Sequence, residues 1–220
     1  MKWFVFICLV LFFAKAHTQN FLFVPKFNHQ SVALDTPYTL QKDTLTISAL
    51  KFYITNLHYL NKGKVVYTSG KKAHLVDFAD SKTLAITEKG VFDFDAVEFN
   101  IGVDSLTSVS GVFEGDLDPA NGMYWAWQSG YINFKLEGYA TNSPGRLNKF
   151  IWHIGGYREP FSALRRIMIR CKRQNELVVN IQLEKLFREI DVSKDFNVMS
   201  PGSRSIKIAD VLPAIFSISQ

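Results

Sequence analysis

The sequence predicts an all-β domain, an antiparallel β-sandwich or barrel-like double sheet with short helical pieces near the C-terminus. Apolar residues recur at every second position in many short runs, and the runs follow closely on one another without helical segments between them. The runs are also rich in β-branched and aromatic residues, which suit a pleated, half-buried surface.

Taken in order, Leu50, Phe52 and Ile54 alternate with Lys51, Tyr53 and Thr55, and Phe92, Phe94 and Ala96 alternate with Asp93 and Asp95. Residues 131–138, 149–154, 166–171 and 176–183 repeat the pattern, each bounded by Gly, Asn, Asp or Pro. Helical periodicity is confined to residues 183–190 and 209–217, and Pro213 limits the second to short pieces. No stretch reads as a linker, a repeat or a low-complexity tract, so residues 17–220 form one domain.

Residues 1–16 have the organisation of a cleavable secretory signal. Lys2 gives a positive start, Trp3 to Phe13 is uncharged and apolar, and Ala14-Lys15-Ala16 offers small residues for a cut before His17, or as late as residue 19. The apolar run is shorter than the ~20 residues a spanning helix needs, so no membrane insertion is expected after cleavage. The expected location is the periplasm or the exterior. Removing Lys2 and Lys15 lowers the formal charge from +5 to +3. Arg165, Arg166, Arg170, Lys172 and Arg173 are interrupted by Ile167, Met168 and Ile169, which reads as a solvated strand edge rather than a nucleic-acid footprint. Cys8 leaves with the signal, so Cys171 has no partner within the chain and the core must hold the fold unaided.

The usual catalytic patterns are missing, and no enzyme is expected. There is no Gly-x-Ser-x-Gly elbow, and Cys171 lies in an alternating apolar run where an inert thiol is the ordinary case. Gly155-Gly156 reads as a turn. Residues 116–122 resemble a calcium loop, but Ala120 stands where an oxygen ligand belongs, and Pro119 and Gly122 account for a plain turn. His58 keeps the parity of Leu50, Phe52 and Ile54, which points it inward on an unbulged strand, and His74 shares parity with Val76 and Phe78. Two such imidazoles suit Cu(I) or Zn. On spacing alone, hydrogen-bonded core histidines are the better explanation, because two histidines are fewer than a zinc site normally uses. A cut before His17 also leaves a terminal histidine, whose amine and ring could together chelate copper, although a frayed terminus is the more ordinary reading.

The stretch Asn100-Ile-Gly-Val-Asp104, followed by residues 115–138 with their run Met-Tyr-Trp-Ala-Trp-Gln-Ser-Gly-Tyr, resembles the signature of the MbnP family of periplasmic copper-binding proteins. Residues 53–58, 73–77, 150–156 and 199–202 stand around it in the order that family shows. The resemblance implies an exported β-sheet protein. In some members two histidines bind one copper ion, and a kynurenine, made from tryptophan by a dihaem partner enzyme, supplies a third contact. Carried over, the copper ligands are His58 and His74, with His153 as a further contributor and Cu(I) as the expected ion. Asn56 stands where the closely preceding tryptophan of one such arrangement would fall, so the resemblance does not carry over the kynurenine. Trp125 and Trp127 are expected to pack against the core. The competing expectation is a non-metal interaction domain whose exposed aromatic residues meet a glycan or a protein.

Overall fold

The computed structural model describes residues 18–90, 93–128 and 130–219; the signal segment, His17 and Phe92 lie outside the described residues. In chain order the strands are β1 (Thr18–Phe27), β2 (Gln30–Ser31), β3 (Pro37–Leu40), β4 (Asp43–Asn61), β5 (Lys64–Thr68), β6 (Ala73–Asp77), β7 (Ala85–Lys89) and β8 (Ala96–Ile101). They continue with β9 (Tyr124–Trp125), β10 (Gly130–Ala140), β11 (Lys149–Gly155), β12 (Arg165–Arg170), β13 (Glu176–Gln182), β14 (Asn197–Val198) and β15 (Phe216–Ile218). The helices are α1 (Ser105–Val109), α2 (Leu183–Glu189), α3 (Val192–Asp195) and α4 (Ser203–Ile215).

Two sheets face each other, as the alternation requires. The smaller runs β15-β13-β1-β2, with β7 also on β1; the larger runs β12-β8-β4-β10-β11-β14 and gains β3, β5 and β6 along β4. Between them lies an aromatic core. Phe23 of β1 meets Phe52 of β4 edge-on at 5.6 Å, Phe21 meets Phe99 of β8 at 6.4 Å, and Phe52 meets Phe216 of β15 at 5.7 Å. Edge-to-face rings suit the aromatic quadrupole and contribute beyond their buried area. The pairing is not wholly antiparallel, however. β1 runs parallel to β13 and β11 parallel to β14. Both partners arrive after long excursions, so no hairpin dictates their direction.

Two local expectations need correction. Asp93, Phe94 and Asp95 precede β8 rather than belonging to it; Phe94 is buried at the strand's approach. The C-terminal helix is one 13-residue element, not short pieces. Pro213 falls in its last turn, where only one hydrogen bond is forfeited. Ile208, Ala209, Leu212 and Ile215 bury one stripe of it against the sandwich and hold the segment helical.

The large sheet also carries a second apolar cluster, on the face turned away from the sandwich core. Tyr53, Leu75, Val103, Met123, Trp125, Tyr131 and Ile132 form it, beneath the chain that runs from α1 to β10. Tyr53 donates to the Asp116 carbonyl at 3.0 Å and Tyr131 to that of Leu117 at 3.1 Å, so two buried phenols pin this covering segment down. Residues 116–122 form the expected turn: the Asp118 side chain accepts from Ala120 N, and Asp116 is taken up by Lys71 Nζ and Leu75 N.

Candidate functional site

A β-bulge decides where His58 points. Thr55 pairs with Asn100 and His58 with Glu98, so β4 spends three residues where β8 spends two. The extra residue sits at Asn56, whose φ of 49° is a left-handed value that asparagine tolerates. Parity reverses there. Leu57 and Tyr59 join Leu50, Phe52 and Ile54 in the core, and His58 turns to the outer face beside Glu98 and Thr68. Its Nδ1 lies 2.9 Å from Thr68 Oγ1, and Glu98 is in turn paired with Arg166. The inward orientation expected of His58 is therefore wrong.

His74 does face inward. It pairs with Ile54 on β4 and shares the side of Val76. Ser69 Oγ donates to Glu88 Oε1 at 2.6 Å and lies 3.2 Å from His74 Nε2, while Tyr67 donates to Glu88 Oε2 at 2.9 Å. Glu88 belongs to β7, so the network joins the two sheets. Burial, helped by the positive charge of Lys71, lowers the His74 pKa to about 4 against the opposing pull of Glu88 and Asp116. The ring is neutral at physiological pH.

His153 lies on the outer face of β11, opposite Lys135 of β10. Its Nε2 is 2.8 Å from Glu137 Oε1, and Lys149 reaches Glu137 Oε2 at 3.1 Å. Burial pulls its pKa below the ordinary value, against the hydrogen bond to Glu137. Trp152 points the other way, into the main core, and donates Nε1 to the Asp195 carbonyl at 2.5 Å.

Three histidines thus occupy three environments. His58 and His74 lie on opposite faces of the large sheet, and His153 is engaged in its own ion cluster. Among the described residues no group of three or more His, Cys, Asp or Glu is placed to hold a metal. Among the described residues the donor set does not fit a preassembled copper centre.

A different feature draws together distant parts of the chain. A cleft of about 460 Å³ is lined by Trp125, Trp127, Gln128, Tyr157, Arg158 and Phe161, with Pro201 at its edge. Trp125 is 5% exposed, as a core residue should be, but Trp127 is 67% exposed, contrary to the expected packing. Their rings lie 5.9 Å apart at 46°. Glycines let the walls approach: a Cβ on Gly155 would sit 2.8 Å from Trp125 Cζ3, and Gly156, at φ +124°, turns the chain beneath Phe161 and Pro201. Gly156 thus lines the cleft as well as turning the chain, while Gly155 makes room behind Trp125. In the sequence, the one signal of this site is a glycine pair answering an aromatic run.

The MbnP family profile matches residues 17–201. The chain belongs to the MbnP family. Among solved structures it is similar to MbnP from Methylosinus trichosporium, with a TM-score of 0.64 and 15% identity, covering 93% of this chain and 99% of that one. At that identity the likeness establishes the shared fold. No curated protein matches in sequence. In this MbnP-family chain, three of the stretches that carry the sequence resemblance, residues 115–138, 150–156 and 199–202, each contribute to the aromatic cleft. No helix among the described residues is long and apolar enough to cross a membrane.

Proposed function

We propose that this MbnP-family protein is an exported, non-catalytic binding protein whose ligand occupies the aromatic cleft. The observation that carries this reading is convergence: family-like stretches from three parts of the chain meet at the cleft, whereas the histidines disperse. The dimensions and aromatic lining are those of a small-ligand site, which typically measures ~300–1,000 Å³. Export rests on the signal-like organisation of residues 1–16, with the periplasm or the exterior as destination. Mass-spectrometric sequencing of the mature terminus tests it: an intact Met1 in the protein recovered outside the cytoplasm would overturn cleavage.

One observation favours a second reading, in which copper is handled through His74 as the family name suggests. The Ser69–Glu88 pair orients a neutral imidazole, as partners of metal-binding histidines commonly do. Copper stoichiometry on the untagged exported form separates the two. Retention of copper by His58→Ala and its loss from His74→Ala supports copper handling; equal copper in His74→Ala, His58→Ala and His29→Ala leaves the cleft as the functional site. The dihaem partner of some family members belongs with the copper reading.

A further inference from the structure

The cleft also constrains what enters it. Its charged lining is Arg158 and Glu159, one cation and one carboxylate, so it presents no net charge to select an ion. The Arg158 guanidinium is already engaged, 5.2 Å from the centre of the Tyr157 ring. Around these stand flat apolar surfaces, Trp127 above all, and planar hydrogen-bonding groups: the Gln128 amide, the guanidinium and the carboxylate, each able to meet two adjacent polar atoms. Trp125 Nε1 is buried without a hydrogen-bond partner among the described residues, although it lies in a residue of the cleft wall.

Aromatic faces beside planar, paired hydrogen-bonding groups match a ligand with one apolar face and a rim of hydroxyls. We infer that the cleft binds the pyranose ring of a neutral carbohydrate, its C–H face on Trp127 and its hydroxyls toward Gln128, Arg158 and Glu159. This rests on the reading of the cleft as the functional site and names its ligand class. A proline-rich peptide fits less well: it needs an elongated groove for several successive residues, whereas this lining comes from short segments gathered round Gly156.

The test follows the indole N–H signals of Trp125 and Trp127 by NMR in the full mature chain. The probes are methyl glycosides of glucose, galactose, mannose and N-acetylglucosamine, their β- and α-linked disaccharides, a proline-rich peptide and Cu(I). Saturable shifts of both signals by at least one saccharide, with Trp127→Ala weakening binding roughly tenfold or more, are expected. Trp127 is 67% exposed, so Trp127→Ala should leave the fold intact, and Trp125→Phe, which removes part of the cleft wall, should weaken the same saccharide. Shifts produced by the peptide and by no saccharide would overturn the carbohydrate inference and leave the cleft reading standing. Copper bound while neither saccharide nor peptide moves the two signals would remove both.

Discussion

Ser69 Oγ lies 3.2 Å from His74 Nε2 while giving its own proton to Glu88 at 2.6 Å. A hydroxyl has one proton, so the ring must be the donor in the first contact. His74 is therefore the Nε2–H tautomer, with its Nδ1 lone pair available.

This arrangement predicts acid sensitivity. The folded pKa of about 4 lies below the ordinary 6.5, so the unfolded chain takes up the proton first as pH falls. The stability held by neutral His74 is complete above about 6.5 and declines between 6.5 and 4, by up to roughly 3 kcal/mol. Urea unfolding across that range should show the parent losing more stability than His74→Gln. Parallel losses would contradict a buried neutral ring. Under the copper reading, proton competition at this ligand should likewise be deferred to near pH 4.

Glu137 should be felt at still lower pH. Burial opposes its ionisation, but hydrogen bonds from His153 and Lys149 and the charge of Lys135 outweigh it, so its pKa is pushed down to about 2. Its contribution is present above its ordinary 4.5 and is lost as pH falls toward 2. Glu137→Gln should cost about 1–3 kcal/mol at neutral pH and progressively less below pH 4, measured by denaturant midpoints.

Gly155→Ala should damage the cleft more than the fold's secondary structure. The added methyl meets Trp125 Cζ3 at 2.8 Å and the Tyr131 carbonyl at 2.5 Å, and an overpacked site of this kind typically loses ~1–3 kcal/mol. Trp125 fluorescence should shift and cleft binding fall, with the far-ultraviolet spectrum unchanged. Unaltered binding would show that Trp125 does not shape the site.

Cys171 should prove inert. Burial, together with the nearby Asp95 carboxylate, raises its thiol pKa to about 11, so little thiolate exists at neutral pH. Native-state labelling by a disulfide reagent at pH 8 should be far slower than in denaturant, and Cys171→Ala should leave ligand binding unchanged. Rapid native labelling would place the thiol outside its half-buried position.

The architecture was largely legible because alternation survives in single strands. The alternation marks residues 149–154 and 176–183 almost to the strand ends, and apolar spacing marks α2. The orientation of His58 is not legible from alternation alone, because parity breaks at Asn56. The clue lay in Leu57 and Tyr59, two core residues out of phase with Leu50, Phe52 and Ile54, around a residue that tolerates positive φ. The cleft was illegible for another reason. Trp127, Tyr157 and Pro201 become neighbours only through tertiary packing, and no sequence period records it.

The parallel pairing of β1 with β13 sets an order on assembly. Gln19 reaches the Asn175 carbonyl across 156 positions of sequence. A chain emerging amino end first, from a ribosome or through a membrane channel, carries Phe21 and Phe23 long before the strand that will flank them exists. Such distant closure slows folding and prolongs the exposure of sticky surface. Phe21 and Phe23 therefore stay uncovered by this flank until residues 176–182 have been delivered, so their burial comes late in folding.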